Sequence, residues 1–481
     1  MEINYRESKG MNKYKKLVGN SLIFGIGNFS SKLLLILLVP FYTFYLSTSE
    51  YGTVDIITTT TNMLVPLISL SIYESVLRFV MDNKSIQSVV TNSIAITGIG
   101  IFISVVAYPI LSYFNILDGL LVFFYMILIS QALQSIIAQY TRAIGKIKVY
   151  AINGIIRTLT LGISNVLLLI VFKQGINGYL ISITVSNIVS IFFFILNTNF
   201  LKNIKIGKLD VNLAKDMLKY SIPLIPNSFM WWIMNTSNRY FILFYKGVEV
   251  NGLFAVAYKI PTIITMFTTI FSQAWQLSAI EEYNSEEKSK FYSKIFNYYQ
   301  SFLFLGVSAI LVIIKPLMDF AFAEEYYPSW QYIPFLLLSV LFSSFSGFLG
   351  TSYIAAKKTK GVFKTSIIGG ILGVILNFIF VPILGGVGAG IATMISFFVI
   401  WILRLFDTKK YIYITINIRH LILSLFIIFT QITILFLDIN NLLELCFLFL
   451  CFLFLLKFSY KMILKIISIG VNKLINRFKV R

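Results

Sequence analysis

Five basic residues fall inside apolar stretches of the chain: Lys32, Arg78, Arg157, Arg239 and Lys259. A cation in hydrocarbon costs about 2.5–3.5 kcal/mol on insertion scales, so each requires a partner, a reach to the interface, or a wet cavity. Lys32 lies about fourteen residues from the outer end of its stretch, roughly 21 Å deep at 1.5 Å per residue. The residues that follow it, Leu33 to Leu38, are wholly apolar. Arg239 sits in Asn235-Thr-Ser-Asn-Arg-Tyr240 and Lys259 in Ala257-Tyr-Lys-Ile-Pro261. Cations at such depths attract an anion, and the guanidinium fork suits phosphate in particular. Asn238 and Tyr240 flank Arg239 and join it as candidate ligands, with Trp231, Trp232 and Tyr258 as rings on which sugars can stack. The competing reading for long basic side chains is a snorkel to the interface. Arg157, early in its stretch, is read that way. Arg78 follows Glu74 by four residues, which allows either an internal ion pair or a ligand role. Asp55 is read as solvated near an external helix start.

These residues are positioned by elements that composition identifies. Of 481 residues, 57% are hydrophobic and 12% charged, with a mean hydropathy of +0.83. Soluble domains carry about 25% charged residues. Recurrent apolar runs of about 20 residues mean membrane-spanning helices. The pattern predicts an all-α membrane protein of about fourteen transmembrane helices, with short links between them. The apolar run from Leu17 to Leu46 is too long for a signal-peptide core and reads as a retained first helix.

The net charge of +20 points to topology rather than to nucleic acid. With the N-terminus inside, 32 of the 40 lysines and arginines fall in cytoplasmic segments, as the positive-inside rule requires. Both termini are then cytoplasmic. Internal similarity is also present. A shift of 200 residues lays Ser21, Phe29, Phe41, Phe44, Tyr45 and Gly52 on Ser221, Phe229, Phe241, Phe244, Tyr245 and Gly252. A shift of 212 lays Ala143, Lys146, Lys148, Asn165 and Gly178 on Ala355, Lys358, Lys360, Asn377 and Gly390. An even number of helices per unit makes these parallel repeats, with a pathway expected between them. The expected organisation is a six-helix lobe over 1–210, a second over 211–410, and two added helices with a basic tail over 411–481.

Several chemistries find no residues to carry them. No phosphate-cradling glycine-lysine loop occurs, so ATP hydrolysis is not encoded here. His420 is the single histidine, and Cys446 and Cys451 share one late apolar segment. Neither a metal site nor a disulfide framework is expected, and no cofactor is expected. A glycosyltransferase or polysaccharide polymerase would need catalytic carboxylates or large external loops, and the sequence shows neither. The acidic group Glu281, Glu282, Glu286 and Glu287 reads as a solvated link.

Taken with the helix count, Ser49-Glu-Tyr-Gly52, Leu77-Arg78-Phe79, Asn238-Arg239-Tyr240 and Tyr258-Lys-Ile-Pro261 give a resemblance. Residues 15–410 resemble the multidrug/oligosaccharidyl-lipid/polysaccharide exporter superfamily, and within it the oligosaccharide-unit (Wzx-type) flippases of bacterial capsule and O-antigen pathways. Where many members carry an acidic residue, this chain has Asn238. The resemblance implies a multi-pass protein of the bacterial cytoplasmic membrane that is not an enzyme. Its substrate would be an oligosaccharide on undecaprenyl diphosphate, moved to the outer leaflet by alternating access, with a polysaccharide polymerase and chain-length machinery as partners. A lipid II flippase and a drug antiporter of the same superfamily are the alternatives.

Overall fold

The computed structural model describes residues 31–479, apart from 83, 84, 116, 118, 357, 359 and 438. The basic run from Arg6 to Lys16, the repeat residues Ser21 and Phe29, and the start of the first helix lie outside the described residues. So do the side chains beyond Tyr460 and that of Trp231. The described residues form helices and turns without a strand, and the chain divides into two compact units, Met1–Thr236 and Ser237–Arg481.

The first unit holds α1 (Ser31–Thr43), α2 (Thr48–Ile68), α3 (Ile72–Met81), α4 (Ile86–Val106) and the short α5 (Tyr108–Tyr113). It continues with α6 (Leu121–Ala143), α7 (Ile147–Asn165), α8 (Gly175–Asn197), α9 (Val211–Ser221) and the start of α10 (Leu224–Ala257). A reciprocal cap opens α2. The Glu50 amide donates to Ser47 Oγ at 3.2 Å, and the Ser47 amide donates to Glu50 Oε2 at 2.9 Å. The other Glu50 oxygen accepts from the Ile176 amide at 3.4 Å, so one carboxylate ties the start of α2 to that of α8. Pro66 lies inside α2, which ends two residues later, and α3 leaves at 55°. Leu70 and Ser71 take left-handed backbone at the bend. Close crossings rest on small residues. A side chain at Gly100 of α4 would put its Cβ 1.8 Å from the Ile68 carbonyl oxygen, whereas Gly98 faces open space.

The second unit holds the rest of α10, α11 (Thr262–Glu281), α12 (Lys288–Ala321), α13 (Ile333–Ala355), α14 (Lys360–Asp407), α15 (Ile418–Phe436) and α16 (Asn441–Lys479). α10 and α14 are each two helices end to end, divided at Gly247 (φ 86°, ψ 178°) and Gly385 (φ 58°, ψ −132°). Positive φ with extended ψ is essentially glycine-only backbone. His420 of α15 is buried, 3.2 Å from Gln300 Nε2 of α12 and 3.1 Å from Ser459 Oγ of α16, and stacks on Phe458. It is a packing residue that joins three helices. Lys315 of α12 and Glu444 of α16 form a 2.7 Å ion pair. Both cysteines are free.

Ten helices among the described residues are long and apolar enough to cross a membrane, or eleven with the bent α2–α3 pair as one span. The larger sequence estimate has visible physical origins. Gly385 divides the 360–410 segment into two passes. α1 is short within the described residues, and α11 is diluted by Thr262, Thr265, Thr268, Thr269, Gln273 and Gln276.

The two neighbouring glycines of α4 separate packing from propensity. Gly100→Ala should destabilise by about 1–3 kcal/mol through overpacking against backbone. Gly98→Ala should be neutral or stabilising by about 0.5–1 kcal/mol. Thermal unfolding of the two purified variants in detergent measures the difference.

Candidate functional site

Asn238 and Arg239 are carried by α10 and both are buried, Arg239 at 5% exposure. Asn238 Nδ2 donates to Thr393 Oγ1 of α14 at 3.4 Å, while Asn238 Oδ1 has no hydrogen-bond partner among the described residues. The Arg239 guanidinium lies over the Tyr258 ring at 4.7 Å and the Phe254 ring at 5.9 Å. Cation–π contacts contribute from about 0.5 to 2 kcal/mol, most where water is excluded. Tyr240 is half-buried. Lys259 is not inside a helix. Residues 258–261 form a turn between α10 and α11, closed by a hydrogen bond from the Thr262 hydroxyl to the Lys259 carbonyl. Pro261, which lacks an amide hydrogen, causes the break. Arg239, within α10, therefore reaches the ring of Tyr258 in the turn that also carries Lys259.

In the first unit, Lys32 is exposed on α1. Arg78 is exposed in the last turn of α3 and pairs with Asp82, Nε to Oδ2 3.0 Å, rather than with Glu74. Glu74 interacts electrostatically with Arg142 of α6, on which α3 packs. Trp232 stacks on Phe229 at 5.7 Å and donates its indole N–H to the Thr59 carbonyl at 3.2 Å.

Two polar features of the first unit exceed what the sequence indicated. Asp55, expected to be solvated, is 7% exposed. It lies among ring contacts that run from Tyr51 to Tyr179 and on to Tyr42, whose hydroxyl accepts from Asn165 Nδ2 at 3.1 Å. Arg157, expected to snorkel, lines a cavity of about 310 Å³ bounded by α1, α6, α7 and α8. The sequence carried one signal for this, an arginine ten residues into α7 with Asn153 and Gly154 on the preceding turn. In the second unit Arg404 is buried. It donates to Ser346 O at 2.9 Å, Thr365 Oγ1 at 3.0 Å and Ser366 Oγ at 3.1 Å. Among the described residues no group of three or more histidine, cysteine or acidic side chains is placed to hold a metal.

Successive apolar helices, several broken at proline or glycine and carrying buried cations, define a multi-pass α-helical membrane protein. The chain belongs to the polysaccharide biosynthesis protein family, which matches it over residues 17–276. No curated protein sequence matches it. Among solved structures it is similar to the lipid II flippase MurJ in an inward closed conformation, with a TM-score of 0.69 at 18% identity over 92% of this chain and 100% of that one. An inward-facing multidrug resistance MATE family transporter of the MOP superfamily gives 0.63 at 13% identity, over 79% and 95% of the two chains. A point mutant of the Vibrio cholerae MATE transporter VcmN gives 0.54 at 13% identity, over 82% and 98%. At these identities the likeness is one of fold.

If Tyr258 holds Arg239 by its ring face, Tyr258→Phe should lower the unfolding temperature less than Tyr258→Leu does. Tyr258→Leu should lower stability by about 0.5–2 kcal/mol. Thermal unfolding followed by tryptophan fluorescence makes the comparison.

Proposed function

We propose that the chain is a flippase moving undecaprenyl-diphosphate-linked oligosaccharide units from the cytoplasmic to the outer leaflet. The process served is capsule, O-antigen or exopolysaccharide synthesis. The observation that carries the reading is the polysaccharide biosynthesis family match, joined to a fold like that of MurJ along 92% of the chain. Cations inside an apolar chain agree with an anionic lipid substrate. Lys32, Arg78, Asn238, Arg239, Tyr240 and Lys259 are the proposed substrate contacts, with diphosphate on the cations and sugars against the rings. The work is transport rather than catalysis. The proposed organisation is two parallel six-helix lobes, 1–210 and 211–410, with 411–481 appended. The proposed setting is a bacterial cytoplasmic membrane with both termini inside. A polymerase and chain-length machinery are proposed downstream partners.

A second reading, transport of a lipid II precursor, is favoured by one observation: MurJ is a lipid II flippase. Both substrates would present a diphosphate, so the test must vary the sugar or peptide portion.

Reconstitution in proteoliposomes decides among these readings. The wild type should translocate undecaprenyl-diphosphate oligosaccharide and leave lipid II in place. Arg239→Ala and Lys32→Ala should each slow translocation at least tenfold, about 1.4 kcal/mol of barrier, with the unfolding temperature retained in Lys32→Ala and lowered in Arg239→Ala no more than in Tyr258→Leu. Transport of lipid II alone would establish the second reading. Export of a cationic dye alone would remove both readings. Flipping that survives both substitutions would keep the function and reject the site.

A further inference from the structure

We propose that the Arg157 cavity, inside the first unit, is a binding subsite for a phosphate-type oxyanion. Arg157 stands ten residues from Ile147 at the start of α7, about 15 Å along the helix at 1.5 Å per residue. That is about half of the ~30 Å hydrocarbon layer. Among the described residues its guanidinium forms no hydrogen bond and no ion pair. A guanidinium offers five N–H donors and accepts nothing.

The space it faces has an apolar wall that includes Leu35, Leu161, Ile183 and Phe194, together with a built polar side. Ser31 of α1, Gln134 of α6, Asn153 and Thr158 of α7 and Ser186 of α8 line it with Arg157, and among the described residues no carboxylate does. Its wall is fixed in advance by Ser190, whose hydroxyl donates to Asn153 Oδ1 at 2.7 Å and accepts from Gln134 Nε2 at 3.3 Å. Asn153 Nδ2 in turn donates to the Ser190 carbonyl at 3.0 Å. The volume of about 310 Å³ falls at the lower end of the ~300–1,000 Å³ range of ligand pockets. Close packing keeps the cavity narrow on the α1 side, where Ser31 Oγ stands 3.3 Å from the Cβ position of Gly154.

The contrast with Arg404 argues against a purely structural arginine. Arg404 is buried in the second unit with its donors spent on neutral acceptors. Arg157 has a cavity and unspent donors. Planar bidentate recognition of a phosphoryl group is the chemistry this leaves open. The source is either a free phosphate-type anion or the headgroup of a lipid diphosphate. This chemistry is the same whatever the chain translocates.

The test is thermal unfolding of the full chain in detergent, titrated with inorganic pyrophosphate at constant ionic strength and separately with undecaprenyl diphosphate. Stabilisation by both ligands assigns the site to free oxyanions. Stabilisation by the lipid alone assigns it to a headgroup. In either case Arg157→Gln should raise the half-saturating concentration at least tenfold, with Arg157→Lys in between. Chloride stabilising as well as pyrophosphate at equal ionic strength overturns the oxyanion assignment, and so does stabilisation by neither ligand. Titration of Arg157→Gln like the wild type overturns it as well. If that variant fails to fold, Gln134→Leu, which fills the same cavity, must show the tenfold loss, and its absence rejects the site. Flipping is measured separately, so a failed flippase reading leaves this result intact.

Discussion

In a hydrocarbon medium every backbone amide and carbonyl must find its partner within the protein, and this governs where the helices of this chain may break. At the α2–α3 bend, Ser69 donates through both its amide and its hydroxyl to the Val65 carbonyl, and the Ser71 amide donates to the Pro66 carbonyl. Both serines are buried, so no water is available to do this work. Between α9 and α10 the break falls at Ile222-Pro223, and the Ile222 amide still reaches the Leu218 carbonyl. Between α10 and α11 the Thr262 side chain and amide both take the Lys259 carbonyl. The breaks are thus chemically prepared.

Charges obey the same constraint in four different ways. Lys315 and Glu444 neutralise each other beside the ring of Trp330. Arg404 is met by neutral oxygens from α13 and α14, and a side chain at Gly350 would put its Cβ 3.0 Å from Nη1. Arg239 is met by aromatic faces. Arg157 is met by a cavity. The first two arrangements are closed: donors and acceptors are matched, and a ligand has nothing to gain there. The Arg157 arrangement leaves hydrogen-bonding capacity, which is what a binding group requires.

Much of the fold is readable from apolar periodicity, because a helix facing lipid has no other way to be stable. Links, caps and bends are readable too where the residue is decisive, as with Ser47–Glu50, Pro223 and Pro261. What escapes is the rotational position of a side chain about its helix. Asp55 looks like an external, solvated carboxylate by distance from the helix start, yet its face of α2 turns toward Tyr179. By position in its stretch Lys32 looks deep and Arg157 peripheral, but Arg157 lines a cavity and Lys32 is exposed. Glu74 and Arg78 have ion-pair spacing, yet Arg78 pairs with Asp82, and Glu74 is half-buried within electrostatic range of Arg142 from α6. Depth comes from counting along one segment; partners come from neighbours contributed by other segments.

The weak internal repeat gains meaning when turns are compared instead of residues. Ser47 caps α2 after the first turn of one half, and Gly247 divides α10 at the corresponding position of the other, 200 residues later. α6 ends at Ala143 and α13 at Ala355, a shift of 212. The same shift carries Lys173, left-handed at φ 49° before α8, onto Gly385 at φ 58°. The two positions share a positive φ, while the extended ψ of −132° at Gly385 is open to glycine alone. Side chains facing lipid interchange freely among Leu, Ile, Val and Phe, so residue identities match poorly at these shifts. Turn positions do not fade, since moving one by a residue rotates every side chain after it by about 100°. The spacings of 200 and 212 residues are therefore matched more closely by where helices stop than by what the helices are made of.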